Sequence, residues 1–171
     1  MQHNNLIDKI IRVNHAGEYG AKRIYQGQIA YTKNPATKKL LKEMLEHEAE
    51  HLQYFEQQIK ERKVRPTALF PLWHALGYGL GAVTAMLGEK TAMACTYAVE
   101  EVIEGHYQNQ LDKLDKSEAA LKKNIKKFQA EEVHHRDIAT EHSAEEAFGF
   151  SIFKNLVAKT SKTAIWLSER F

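Results

Sequence analysis

Apolar positions recur every three or four residues over most of the chain, which predicts long amphipathic helices and no sheet. A first helix should run from about Leu6 to Tyr31, with Ile7, Ile11, Glu18, Ala21 and Tyr25 in phase. Asn34-Pro35 ends it, and Thr37 is the expected cap of a second helix reaching roughly Arg62. In that helix Leu41, Met44, Phe55 and Ile59 share one stripe with Glu48 and His51. The short connection makes the two helices antiparallel neighbours. A third amphipathic helix spans about Glu89 to Leu114. Asp115-Lys116-Ser117 then marks a turn, with Ser117 as the cap of a fourth helix from Glu118 to His142. Beyond Gly149 a last helix covers Ile152 to Arg170, with Ile152, Leu156, Ala164 and Leu167 as its inward residues.

One stretch departs from this pattern. After the break at Arg65-Pro66-Thr67, Ala68 to Gly88 contains no charged residue. Its length satisfies the criterion for a membrane span. Pro71, His74 and four glycines weigh against one. Two readings stand above it: a buried crossover joining two helical hairpins, or an apolar helix lying in a membrane interface, which would suit Trp73 and Tyr78. Gly77, Gly79 and Gly81 make no dinucleotide fingerprint, because no strand precedes them.

Composition agrees with an all-α chain forming one domain over residues 1–171. There are three prolines and nine glycines in 171 residues, and good helix formers are abundant. The net charge of +2, with both signs interspersed, gives no support to nucleic-acid binding. Lys122-Lys123 and Lys126-Lys127 read as the solvated face of a helix. The lone Cys95 excludes an intrachain disulfide, fits a reducing compartment, and reads as a small buried thiol. Met1 to Lys9 has no apolar run, so no secretory signal is expected, and the chain is either cytosol-facing or in mature form.

The chemistry lies in an internal repeat. Glu18 is followed seven residues later by Tyr25-Gln26-Gly27-Gln28, and Glu100 seven residues later by Tyr107-Gln108-Asn109-Gln110. Glu48-x-x-His51 lies thirty residues beyond Glu18, and Glu132-x-x-His135 thirty-two beyond Glu100. The chain thus reads as two copies of one hairpin, each giving Glu and then Glu-x-x-His. A rival pair, Glu131 and His134, falls on a stripe with Lys127 and Glu141 that belongs in water, whereas Glu132 and His135 share theirs with Ile125, Phe128 and Ala139.

Four carboxylates in one core repel unless cations neutralise them. Two divalent metals would balance the charge, and one imidazole apiece suits iron or manganese better than magnesium, calcium or zinc. Six protein ligands for two metals leave open positions for dioxygen. Taken singly, His15, His74, His106 and His142 read as structural histidines. Tyr25, His106 and Tyr107 are candidate donors to the ligands.

These residues resemble the demethoxyubiquinone hydroxylase family of ubiquinone biosynthesis. The likeness runs through Arg12-Val13-Asn14-His15-Ala16-Gly17-Glu18-Tyr19-Gly20-Ala21, Arg65-Pro66-Thr67 and Pro71-Leu72-Trp73. It continues in Ala92-Met93-Ala94-Cys95-Thr96, Val99-Glu100-Glu101, His106-Tyr107 and Leu167-Ser168-Glu169-Arg170, covering nearly the whole chain. It implies a ferritin-like four-helix bundle of two hairpins, with an apolar crossover at 68–88 and a C-terminal helix. It also implies two iron ions on Glu18, Glu48, His51, Glu100, Glu132 and His135. The implied reaction is dioxygen-dependent hydroxylation of a demethoxyubiquinol ring bearing a polyprenyl tail. Reducing equivalents come from outside, with NADH one candidate.

A peripheral membrane location is also implied: the cytoplasmic face of a bacterial inner membrane, or the matrix face of the mitochondrial inner membrane for a mature eukaryotic form. A homo-oligomer or a lipid-handing partner is compatible with the exposed apolar segment. Trp166 stands where the resemblance leads one to expect tyrosine. Three alternatives stay open on the residues alone: a ferroxidase or iron-storage subunit, a di-iron quinol oxidase, and a non-catalytic structural protein at the membrane surface.

Overall fold

A computed structural model describes residues 2–171, with side chains from residue 5 on; Met1 lies outside it. It contains six α-helices: α1 Gln2–Tyr31, α2 Pro35–Arg62, α3 Phe70–Met86, α4 Glu89–Lys113, α5 Ala119–Glu141 and α6 Phe150–Ser168. Among the described residues there is no strand. The arrangement is that of a ferritin-like helical bundle: α1 pairs with α2, and α4 with α5. The third helix of each set packs on the first of its own set, α3 against α1 and α6 against α4. The internal repeat therefore extends from two helices to three.

Local chemistry sets the helix ends, not always at the expected residues. Asn34, not Thr37, caps α2: its side chain accepts from the Ala36 N–H at 2.9 Å, and Pro35 occupies the first helical position. Thr37 is buried and donates to Glu89 Oε2 at 2.9 Å, tying the start of α2 to the start of α4. Likewise Asp115, not Ser117, makes the cap before α5, accepting from the Ser117 N–H at 2.7 Å. An Asx turn at the earlier polar residue wins in both places. Gly88, at φ +119°, lets α3 pass to α4 through two residues.

The stretch from Ala68 to Gly88 contains α3, a helix with two unlike sides. One side of α3 is buried against α1 through Gly77 and Gly81, while Leu72, Leu76, Val83 and Met86 stay exposed on the other. Among the described residues no helix is long and apolar enough to cross a membrane.

The C-terminal helix corrects the expectation for its face. Ile152 and Leu156 are exposed at 79% and 62%, Ala164 and Leu167 are part-buried, and Val157 and Ser168 are the buried positions. A helix packed on one side of a completed bundle has only a narrow stripe to bury, so its remaining apolar residues face outward.

Of the three apolar clusters among the described residues, Cys95, Ala98, Val99 and Val157 join α4 to α6, and the other two flank the centre of the bundle. Ile7, Ile11, Phe55, Leu121, Ile125 and Phe128 lie in one, and Leu41, Met44, Met93 and Ala139 in the other. Tyr107 belongs to the first and Tyr25 to the second. As the sequence suggested, the lysines at 122, 123, 126 and 127 are exposed and Cys95 is buried.

Candidate metal centre

Between the two clusters, α1, α2, α4 and α5 each turn acidic or imidazole side chains inward. Glu18, Glu48, His51, Glu100, Glu132 and His135 are all at most 2% exposed. They form two overlapping groups, each able to offer ligand atoms within 4.8 Å of one another. Glu18, Glu48, His51 and Glu132 make one; Glu48, Glu100, Glu132 and His135 make the other. Glu48 and Glu132 are common to both. All six residues expected from the repeat converge.

Several of these atoms have no hydrogen-bond partner although water cannot reach them: Glu18 Oε2, both oxygens of Glu48, His51 Nδ1, Glu100 Oε2 and Glu132 Oε1. Orphaned buried polar atoms each cost about 1–3 kcal/mol, more when charged. Gathered at one point, they are a ready-made set of donor atoms for cations. The donor chemistry fits the pair of divalent ions that the repeat implies: four carboxylates, two imidazoles and no thiolate.

The electrostatics of the protein without metal tell the same story. Burial, then repulsion from Glu132, pushes the Glu48 and Glu100 carboxyls well above the usual range. Burial opposes charge on His51 and His135 too. Contact with Glu132 outweighs it, raising His135 and taking His51 to about 12. Burial would likewise raise Glu132, but the close approach of His135 and His51, each at 3.1 Å, holds it below the ordinary value. Protons thus occupy the places that cations would take.

The surrounding donors include residues the sequence reading missed. Tyr25 donates to Glu100 Oε1 at 2.8 Å, and Tyr107 donates to Glu18. His106 instead accepts from Gln110 Nε2 at 2.6 Å, and Gln110 exchanges two bonds with Asn14. Burial, then the Lys113 charge, lowers His106 to about 4, so it is neutral there. The repeat places Gln28 opposite Gln110, and Gln28 bonds Thr96 Oγ1 at 3.3 Å.

Glu131 is the correction. It is not simply a solvated residue: it is part-buried, and its Oε2 lies 2.8 Å from His51 Nε2, while its neighbour in the rejected pair, His134, is exposed. His47 takes the equivalent place beside His135, at 3.0 Å. The repeat carried the signal, since each precedes a Glu-x-x-His pair. Among the other histidines, His15 is buried against Phe70, His74 bonds the Tyr19 hydroxyl at 2.7 Å, and His142 is exposed.

An apolar groove of about 270 Å³ opens between α1, α3, α4 and α6. Gly17, next to Glu18 in sequence, and Ala21 line it from α1; Val99 and Ile103 line it from α4. Leu76 and Leu80 of α3 and Leu156 and Ile165 of α6 complete its walls.

Residues 5–168 match the family described as ubiquinone biosynthesis protein COQ7. The chain is 48% identical over 166 residues to the 3-demethoxyubiquinol 3-hydroxylase of Rhodospirillum rubrum, spanning 96% of this chain and 78% of that protein. It is 46% identical over 169 residues to the human protein named NADPH-dependent 3-demethoxyubiquinone 3-hydroxylase, mitochondrial, spanning 96% and 77%. Against the yeast 5-demethoxyubiquinone hydroxylase, also named mitochondrial, the identity is 35% over 181 residues, spanning 96% and 78%.

Proposed function

This chain belongs to the ubiquinone biosynthesis protein COQ7 family, and from that membership we propose that it hydroxylates the ring of a demethoxyubiquinol using two iron ions held by Glu18, Glu48, His51, Glu100, Glu132 and His135. The observation that carries the metal reading is the convergence of unpartnered carboxylate and imidazole atoms at one buried point. The names of the relatives supply the substrate and the reaction.

Two ferrous ions held by these six residues would supply the activation of dioxygen. The chain's own groups do the rest. Glu48 and Glu132 belong to both ligand groups and would be shared, while Glu18 with His51 and Glu100 with His135 would serve one group each. Tyr25 and Tyr107 hold the outer carboxylates in place by their hydroxyls. The groove admits an apolar ring and the first part of its tail, and its hydrocarbon walls exclude water from the reacting face. Replacing a ring hydrogen by hydroxyl takes one oxygen atom, and the second leaves as water. That consumes two electrons and two protons from outside. The human relative's name specifies NADPH, and we extend a nicotinamide donor, direct or through a reductase, to this chain.

The exposed apolar residues of α3 and α6 flank the groove mouth, and α6 carries lysines but no acidic residue. This side rests on a bilayer surface as a peripheral contact, so a polyprenyl tail need never leave lipid. A ferroxidase would have no use for such a groove. The reading is tested by His51→Ala and Glu132→Ala: each should lose bound iron and hydroxylation together. Full iron content with full activity in either would refute it.

A further inference from the structure

The two inward histidines present the same ring atom to the cluster and differ in what holds the other. His51 and His135 both turn Nδ1 inward, each 3.1 Å from an oxygen of Glu132. Both turn Nε2 outward. His51 Nε2 meets Glu131 Oε2 at 2.8 Å, whereas His135 Nε2 meets His47 Nδ1 at 3.0 Å, the two rings stacked at 5.3 Å between centroids. Glu131 and His47 hold equivalent places in the repeat. Each immediately precedes the Glu of a Glu-x-x-His pair, and each reaches across to the histidine of the opposite hairpin. Symmetric positions are thus filled by an anion on one side and an imidazole on the other. Glu131 is further fixed by Lys127, whose Nζ lies 3.5 Å from Oε1.

We propose that Glu131 and His47 are positioning residues that make the two metal sites unequal, the site served by His51 being the tighter. This rests on the metal reading above. A ligand histidine using Nδ1 must carry its proton on Nε2, and the group accepting that proton's hydrogen bond sets both the ring's orientation and its strength as a donor. A carboxylate acceptor strengthens the ring more than a neutral imidazole does. His47 accepts through Nδ1, which leaves its own proton on Nε2.

Anaerobic titration of the metal-free protein with Co²⁺, followed by visible absorption, reads both binding steps. The wild type should take up two equivalents. Glu131→Gln keeps an acceptor but removes the charge; it should weaken one step by about 10–100-fold, shift the band growing in that step and spare the other. His47→Leu should act on the other step, and His47→Gln, which retains an acceptor, should restore it. Thermal melting of the metal-free variants checks folding. Should Glu131→Gln fail to fold, His47→Glu carries the test, because it should strengthen the weaker step. Equal weakening of both steps, no change in either, or no gain from His47→Glu overturns the proposal. Failure of the wild type to bind two Co²⁺ overturns the metal reading itself, a result distinct from two ions bound without selectivity.

Discussion

The Tyr25 hydroxyl donates to Glu100 Oε1 at 2.8 Å, crossing from the first hairpin to the second. Its counterpart Tyr107 returns the contact by donating to Glu18. Burial, then the carboxylate each one meets, pushes both phenols well above their ordinary range, so both remain protonated donors. The hairpins are therefore joined at the cluster by two reciprocal bonds, each fixing a carboxylate supplied by the other half.

Tyr25→Phe removes the donor to Glu100, whose other oxygen already has no partner. The metal-free protein should lose about 1–3 kcal/mol, the cost of leaving a buried acceptor unsatisfied. Chemical denaturation measures that loss, and metal analysis should show weaker loading in a chain that still folds.

Glu48 should behave in the opposite way. Both of its oxygens are buried without a hydrogen-bond partner, although His135 Nδ1 lies 3.4 Å from Oε1, and burial, then repulsion from Glu132 and Glu18, disfavours its charge. Glu48→Met, similar in length and apolar, should stabilise the metal-free protein by about 1–3 kcal/mol and abolish binding of the metal pair. At this chain length each kcal/mol raises the melting midpoint by roughly 2–4 °C.

Metal loading should release protons and strengthen as pH rises. In the metal-free protein His51 holds its proton up to about 12 and His135 is raised, while Glu48 and Glu100 sit well above the usual carboxyl range. Ligation requires the deprotonated forms, so cations displace these protons. The sign for the fold alone is opposite. Charged His51, with Glu132 and Glu18, contributes stability in full below its ordinary 6.5 and loses it as pH climbs toward about 12. Calorimetric titration in buffers of different ionisation enthalpy counts the protons released.

Gly81 sets how closely α3, which forms one wall of the groove, lies on α1. A Cβ there would lie 2.0 Å from the Ile24 carbonyl oxygen, so α3 sits on α1 only because the position is glycine. Gly81→Ala should cost about 1–3 kcal/mol through overpacking. It should also raise KM for a tailed substrate while leaving metal content unchanged.

Much of this was legible in the sequence because periodicity and repetition act on the same residues. The stripes through Ile11, Glu18 and Tyr25, and through Phe128, Glu132 and His135, are the buried faces, so phase alone chose Glu132 over Glu131 for the cluster. Glu131 leaves the helix on the outward stripe, yet it is part-buried against His51. Phase tells which way a residue leaves the helix, not whether a long side chain bends back to a histidine on the neighbouring helix. Ile152 and Leu156 were misplaced for a related reason. An apolar stripe shows that a face avoids water, not whether a bundle or a bilayer covers it. The caps at Asn34 and Asp115 lie three and two residues before the expected Thr37 and Ser117, a matter of which polar side chain first closes a turn.

The most direct test of the central claim uses labelled oxygen. Protein loaded anaerobically with ferrous iron, given a demethoxyubiquinol analogue, an external reductant and ¹⁸O₂, should yield a hydroxylated quinol carrying one ¹⁸O atom by mass spectrometry. Oxygen uptake with unchanged quinol, or product oxygen derived from water, would contradict the account.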